Sequence, residues 1–160
     1  MTTQMCNIET IKLISENIYK KLGTGHSEFI YHRALEIELR INNINYETER
    51  RLVIYYEGTN GTKYSIGEER IDIYLPDDLI LIELKAVVNP PRSIEIEQIH
   101  KYDRSLKYDN INIKRGILIN FPQPGTKEAR KQIDFIEINY ENNKSIINHN
   151  KIENEINIDN

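Results

Sequence analysis

The chain has 160 residues, of which 39% are hydrophobic and 29% are charged, and its formal net charge is -4. This length fits one domain, and the composition is that of an ordinary globular protein. The acidic charge argues against a protein that coats nucleic acid with a broadly basic surface, but it suits an enzyme whose acidic side chains hold cations. The single cysteine excludes an internal disulfide bond and a cysteine-rich zinc site.

No segment has the character of a membrane span or a secretory leader. No stretch approaches the roughly 18 apolar residues of a transmembrane helix. Residues 1–7 lack the basic and apolar regions of a signal peptide. We therefore expect a soluble intracellular protein without a membrane partner, located in the cytoplasm, a nucleoid or a viral factory.

Hydrophobic periodicity divides the chain into helices and strands. Apolar residues recur at three- and four-residue steps in the predicted helices, whereas β-branched and aromatic residues dominate the predicted strands. Asn60-Gly61 is a typical hairpin turn, and Ser93 is a candidate helix cap. In chain order the predicted elements are helices over 8–22 and 27–41, strands over 52–56, 63–70, 70–75 and 79–88, a helix from 93 onward, and strands over 115–121 and 133–138.

This order of elements predicts an α/β fold. A central mixed β-sheet would be flanked by helices, and the strand over 133–138 would form one edge of the sheet. Residues 1–141 are expected to form this domain. Residues 142–160 are rich in Asn and Ile, and we expect them to be a low-complexity tail that is poorly ordered or added to the domain.

The most informative segment is the hairpin predicted around residues 76–78. If the two aspartates of this segment are the central residues of a tight turn, Asp72 falls directly opposite Glu83, with Cβ atoms about 4.5–5.5 Å apart. Lys85 follows Glu83 by two residues and therefore shares its face. A three-residue turn would shift this register.

Two carboxylates that face each other on paired strands repel, and they become favourable around a hard divalent cation. Mg²⁺ or Mn²⁺ is the expected ion, since Mg²⁺ commonly uses one or two carboxylates together with waters and phosphate oxygens. Lys85 would orient or deprotonate the attacking water, or neutralise charge on the phosphorus. The alternative is that Asp72 and Glu83 are solvated residues on an exposed face, but residues 79–82 are typical of a buried strand, where unpaired charges are unfavourable.

Four short motifs, in order along the chain, resemble those of the PD-(D/E)XK nuclease superfamily. Asp72 followed by Glu-Leu-Lys at 83–85 is similar to the signature of the superfamily, with Ile71 in place of its proline. Residues 25–31, Gly-His-Ser-Glu-Phe-Ile-Tyr, resemble the motif of the GxxExxY branch. Residues 98–102 resemble the Gln-x-x-x-Tyr helix of RecB-like and lambda-exonuclease-like members. The resemblance implies a restriction-endonuclease-like core.

The resemblance also implies a role for each matching residue of the site. Asp72, Glu83 and the backbone carbonyl of Leu84 would bind the metal. Lys85 would be the catalytic lysine. Glu28 would approach the metal directly or through water, although the helix dipole alone also favours a carboxylate in the first turn of a helix.

Other polar residues carry further expectations. Gln98 and Tyr102 lie one helical turn apart and would position the lysine, the DNA or the nucleophilic water, or else serve ordinary packing. Tyr31 is expected to pack in the core beside the site. Surface or hydrogen-bonded roles, without metal-ligand spacing, are expected for His26, His32, His100 and His149. Phosphate contacts, or else scattered solvated charges, are expected for Arg50, Arg51, Arg70, Arg92, Lys101 and Arg104.

These expectations favour a Mg²⁺- or Mn²⁺-dependent deoxyribonuclease, endonucleolytic or exonucleolytic, that hydrolyses phosphodiester bonds of DNA. One alternative is a non-catalytic nucleic-acid-binding or protein-interaction module on the same fold. Another is a metal-dependent phosphoesterase of small nucleotides, which a duplex-wide groove or a ring-shaped oligomer would contradict. Small nucleases of this type often pair their subunits, so a homodimer is also expected.

Overall fold

Local capping signals set the ends of the first helix. In the computed structural model, which describes residues 7–125, 132–141 and 144–149, the Asn7 side chain accepts a hydrogen bond from the Glu9 N–H at 3.2 Å. Gly23 follows the last turn with a positive φ of 70°, a conformation that favours glycine. The elements are α1 (Ile8–Leu22), α2 (Glu28–Ile41), β1 (Glu47–Glu57), β2 (Lys63–Leu75), β3 (Ile80–Lys85), α3 (Ser93–Tyr108), β4 (Arg115–Asn120), β5 (Asp134–Glu141) and β6 (Lys144–His149).

Within the described residues, six strands form one sheet in the order β1-β2-β3-β4-β5-β6. β3 and β4 are parallel and are joined by α3, whereas every other neighbouring pair is antiparallel. Helices α1 and α2 cover one face of the sheet and α3 covers the other, each over its own apolar cluster. The predicted α/β class, with a mixed central sheet flanked by helices, is confirmed and is consistent with a restriction-endonuclease-like fold.

The last edge of the sheet differs from the sequence-based expectation. The prediction of an edge strand over 133–138 is wrong, because β6 pairs with β5 and takes the edge position. β6 is short, and only two of its six residues, Ile146 and Ile147, are typical of strands, so its own strand pattern is weak. The sheet therefore continues beyond residue 142, where the tail is predicted to begin. Residues 150–160 lie outside the described part, and the division into a domain and a tail stays a prediction.

Two predicted elements begin or end at other residues in the structure. The expected cap of α3 at Ser93 is wrong by one residue, because Arg92 takes the N-cap position and its N–H donates to Glu95 at 2.8 Å. The strand predicted to reach residue 88 ends at Lys85. No helix among the described residues is long and apolar enough to cross a membrane.

Helix α3 lies very close to the central sheet where it crosses β4. A Cβ atom added to Gly116 would lie 2.5 Å from Cγ2 of Ile99, which is shorter than side-chain packing allows. The absence of a side chain at Gly116 therefore sets the distance between α3 and the sheet. The same helix carries Gln98 and Tyr102, so this distance also determines how closely these two polar groups approach β3.

We expect Gly116→Ala to lower the free energy of unfolding by about 1–3 kcal/mol, because the added methyl group overpacks the interface with Ile99. Urea denaturation measures the loss. The matched control is Gly67→Ala in β2, where an added Cβ meets nothing within 4 Å. Equal stability of the two variants would contradict this account of the α3 contact.

Candidate active site

The β2–β3 hairpin brings the two predicted metal-binding carboxylates to the same step of the sheet. Leu75 pairs with Ile80 and Ile73 pairs with Ile82, so the predicted register is confirmed. By this register Asp72 lies opposite Glu83, beyond the last pair of the ladder. The Asp72 side chain reaches across and accepts a hydrogen bond from the backbone N–H of Leu84 at 2.8 Å.

The pairing of β1 with β2 is interrupted at the position of Asp72. Thr48 pairs with Ile73 and Arg50 pairs with Ile71, while no pair joins the intervening Glu49 to Asp72. Glu49 has a φ of 52°, in the left-handed region that a non-glycine residue in a strand rarely adopts. Such backbone irregularity is concentrated at functional sites, where surrounding structure holds it in place.

Glu83 is the most deeply buried carboxylate of the site, with only 2% of its surface exposed. Its Oε1 atom accepts hydrogen bonds from Lys85 Nζ at 2.6 Å and from Gln98 Nε2 at 2.8 Å. Gln98 Nε2 also donates to the Tyr102 hydroxyl oxygen at 2.6 Å. The structure thus brings together Glu83, Lys85, Gln98 and Tyr102 from β3 and α3.

The second oxygen of Glu83, Oε2, is buried without a hydrogen-bond partner. Burial of a carboxylate with an unpartnered oxygen is unfavourable. Burial, followed by the repulsion of Asp72, raises the pKa of Glu83 from 4.5 to about 7. An arrangement of this kind is stabilised by a cation, so the residues present fit a divalent metal ion.

The remaining charges of the site lie around the same two carboxylates. Burial raises the pKa of Asp72 above its usual value despite the hydrogen bond from Leu84. Removal from water also raises the pKa of Glu28, which accepts a hydrogen bond from the Ala86 N–H and interacts with Lys85 and Asp72. Desolvation acts to lower the pKa of Lys85, but the surrounding carboxylates outweigh it and the pKa of the lysine is raised.

Glu28 owes its position to contacts between the α1–α2 loop and the end of β4. Gly25, with a φ of 92°, donates its N–H to Gln123 Oε1 at 2.9 Å. The Tyr31 hydroxyl donates to the Gly23 carbonyl at 2.7 Å, and its ring stacks on Phe121 with a centroid distance of 4.4 Å. Tyr31 is fully buried, as core packing beside the site requires.

The cations expected to contact phosphates are all engaged with carboxylates. These ion pairs are Arg50–Glu47, Arg51–Glu68, Arg70–Glu49, Arg92–Glu95, Lys101–Glu69 and Arg104–Glu97. Exposed pairs of this kind are weak and exchange readily for other partners. Lys85 contacts the site directly, with its Nζ atom 2.6 Å from Glu83 Oε1, whereas the phosphate contacts of the other cations stay a prediction.

Sequence reasoning assigned His32 only a surface or hydrogen-bonded role, yet this residue lies against the site. Its Nε2 atom is 3.1 Å from the backbone carbonyl oxygen of Asp72, and its Nδ1 atom is 2.9 Å from Glu36. The signal in the sequence is the four-residue spacing of Glu28, His32 and Glu36, which places them on one helix face. This spacing alone does not identify the strand that the face contacts.

Within the described residues, no group of three or more His, Cys, Asp or Glu side chains is arranged to hold a metal ion. A Mg²⁺ site does not need such a group, because two carboxylates, a carbonyl and waters suffice. The N–H of Leu84 points toward Asp72, and the carbonyl of a strand residue points to the same side as its N–H. The Leu84 carbonyl is therefore expected on the side of Asp72, where it would add a third oxygen ligand to Asp72 and Glu83.

Comparison with known proteins assigns the chain to a class. The family profile described as the PD-(D/E)XK nuclease superfamily matches residues 7–133, and the chain belongs to this superfamily. This superfamily groups nucleases that generally use divalent metal ions. A search of curated proteins found no match.

A solved structure described as "Crystal structure of SSO0001" is similar to the chain, with 26% sequence identity and a TM-score of 0.51. The similarity covers 70% of this chain and 50% of that protein, so the chain spans about half the length of its structural relative. This likeness supports the fold described above.

The metal-free protein is expected to lose stability as the Glu83 carboxyl ionises. Its pKa is about 7 in the folded protein against an ordinary 4.5, so the folded state binds the proton more tightly, and stability falls as pH rises through this window. In EDTA, the free energy of unfolding of Glu83→Gln should therefore exceed that of the parent by about 1–3 kcal/mol near pH 8. Near pH 4 the two free energies should be equal.

Thermal unfolding at the two pH values measures this difference. The matched control is Glu68→Gln, at an exposed position of β2 whose carboxylate pairs with Arg51. The stability of Glu68→Gln should depend on pH in the same way as the stability of the parent. A Glu83→Gln protein that is less stable than the parent at both pH values would show that the ionised pair with Lys85 stabilises the fold.

Proposed function

We propose that the protein is a Mg²⁺- or Mn²⁺-dependent deoxyribonuclease of the GxxExxY type. The observation that carries the proposal is the buried Glu83 carboxylate, which lies opposite Asp72, hydrogen-bonds Lys85 and has one unpartnered oxygen. A stable fold without a ligand has little reason to retain such a group on its central strand. The Gln98 and Tyr102 pair supports a likeness to RecB-like and lambda-exonuclease-like members.

Asp72, Glu83 and the Leu84 carbonyl would hold the metal ion, with Glu28 approaching directly or through a water. When bound, a divalent cation polarises a phosphate and lowers the pKa of a water molecule. Asp72 and Glu83 would hold this ion between β2 and β3, close to Lys85. Glu28 is supplied by the first turn of α2 and interacts with Lys85 and Asp72, so it would reach the ion from α2.

Lys85 would stabilise the negative charge that develops on the oxygen atoms of the phosphate in the transition state. Its ammonium group keeps its proton in the presence of Glu83, Glu28 and Asp72, which raise its pKa. A protonated lysine orients a water or a phosphate oxygen as a donor and does not act as a base. Gln98 holds both Glu83 and the Tyr102 hydroxyl, so the two α3 residues would keep Glu83 and Lys85 in place during the reaction.

A cleavage assay tests the proposal. Linear and circular, single- and double-stranded DNA, with RNA beside them, are incubated with Mg²⁺, Mn²⁺ or EDTA. We expect metal-dependent cleavage of DNA, and a loss of about 10²-fold or more in Asp72→Ala, which removes a metal ligand, and in Lys85→Ala, which removes charge stabilisation of the transition state. Cleavage of the circular substrate distinguishes an endonuclease from an exonuclease.

The matched control is Lys12→Ala, which removes an exposed lysine of α1 that pairs with Glu16. It should cleave DNA at the rate of the parent. A folded parent protein that cleaves no substrate with either metal would favour the second candidate, a non-catalytic nucleic-acid-binding or protein-interaction module. Cleavage of small nucleotides alone would favour a phosphoesterase.

We also propose that the active form is a homodimer, as is common among small nucleases of the PD-(D/E)XK superfamily. Light scattering on the full chain measures its mass in solution. A mass of about twice 18.9 kDa is expected. A monomeric mass at the protein concentrations of the cleavage assay would contradict the proposal without affecting the assignment of the site.

A further inference from the structure

Residues of α2 reach the site at regular four-residue steps. Glu28, His32 and Glu36 lie on one face of the helix because of this spacing. His32 and Glu36 are buried, with 7% and 5% of their surfaces exposed, while Glu28 interacts with Lys85 and Asp72 at the start of the helix. This face therefore carries polar groups into a region where unpaired charges are unfavourable.

The His32 ring bridges the Glu36 side chain and the main chain of Asp72. Its Nδ1 atom is 2.9 Å from Glu36 Oε1, and its Nε2 atom is 3.1 Å from the Asp72 carbonyl oxygen. The Asp72 carbonyl oxygen can only accept a hydrogen bond, so the Nε2 atom of the ring donates it. The contact with Asp72 is to its backbone, which leaves the Asp72 carboxylate available for a ligand.

Glu36 is held from two further directions. Arg33 Nη1 donates to its Oε2 atom at 2.8 Å, and the Thr48 hydroxyl donates to its Oε1 atom at 3.4 Å. The carboxylate is thus hydrogen-bonded on both oxygens, which offsets the unfavourable burial of its charge. A partner fixed in this way determines the orientation of the His32 ring.

These contacts fall where the strands give Asp72 the least support. The β2–β3 ladder ends at the pair of Ile73 and Ile82, and no β1–β2 pair joins Glu49 to Asp72. Helix α2 contacts both strands at this step, through Thr48 on β1 and through the Asp72 carbonyl on β2. The polar face of α2 therefore replaces the missing ladder contacts.

We propose that His32, oriented by Glu36, is a positioning residue that fixes the main chain of Asp72 and so presents its carboxylate to the metal ion. This inference rests on the proposed metal-dependent activity and deepens it. Helix α2 then contributes to the site twice, directly through Glu28 and indirectly through His32. Partners that orient a metal ligand typically change metal affinity or activity by about 10–100-fold when they are lost.

The test compares His32→Gln with His32→Asn in the full chain. Gln places an amide donor near the position of Nε2 and keeps the bond to the Asp72 carbonyl, whereas Asn is too short to reach it. Mn²⁺ affinity is measured by titration with detection of free Mn²⁺ by electron paramagnetic resonance. We expect His32→Asn to weaken Mn²⁺ binding by about 10-fold or more and His32→Gln to retain most of the affinity.

Two further readouts separate positioning from a purely structural role. In DNA cleavage, His32→Asn should lower kcat with little change in KM, because His32 contacts no substrate in this account. The matched control is His100→Asn in α3, where the ring lies 2.8 Å from the Tyr140 hydroxyl. It should leave Mn²⁺ affinity unchanged, and unfolding of every variant in EDTA measures its stability.

If the parent binds Mn²⁺ and cleaves DNA but His32→Asn binds Mn²⁺ with unchanged affinity, the role of His32 is overturned. The proposed function then still stands. Equal losses in His32→Asn and His32→Gln, in proportion to their losses of stability, would also overturn it, because packing alone would explain them. A parent that binds no Mn²⁺ and cleaves no DNA would overturn the proposed function together with the inference. Loss of affinity in His32→Asn with rescue in His32→Gln supports it.

Discussion

Burial of the Glu83 carboxylate on the central strand is the constraint around which the site is organised. An ionised group in this position is unfavourable unless it is hydrogen-bonded and paired. Lys85 and Gln98 satisfy one of its oxygens, and Tyr102 is held in place through Gln98. The other oxygen is left without a partner. The unpartnered oxygen therefore lowers the stability of the fold. Functional groups often reduce stability in this way.

The topology of the sheet brings the groups around Glu83 from three parts of the chain. The β2–β3 hairpin supplies Asp72 over a short sequence distance, and the α3 crossover between the parallel strands supplies Gln98 and Tyr102 on one face. Helix α2 supplies Glu28 from the other side. Helix α3 also packs against β4 at Gly116, next to the Ile99 side chain, and carries Gln98, which hydrogen-bonds Glu83 at 2.8 Å. Helix α3 therefore contributes both to the packing of the sheet and to the hydrogen bonds of the site.

The distribution of charge explains how an acidic chain fits a nuclease fold. The expected phosphate-binding cations are each paired with a carboxylate, so the surface near them is close to neutral. The excess negative charge lies partly in the cluster of Glu28, Asp72 and Glu83, where Lys85 supplies one compensating charge. A bound divalent cation would reverse the local balance, since it is the largest charge in such a site. Net charge alone therefore says little about the substrate.

The sequence by itself determined the features that depend on short-range patterns. The spans of α1 and α2 follow from apolar periodicity, and the register that places Asp72 opposite Glu83 follows from a four-residue connection. Motif resemblance then singled out Gln98 and Tyr102, although periodicity gave them no special status. These features are readable because their partners are close in sequence or follow a known spacing.

Only the tertiary structure decided the remaining features. The interruption at Glu49 depends on how β1 pairs with β2, which residues on both strands determine. The contact of His32 with Asp72 joins residues 40 positions apart. No local pattern encodes such contacts, because they arise when independently formed elements pack and satisfy each other's buried polar groups.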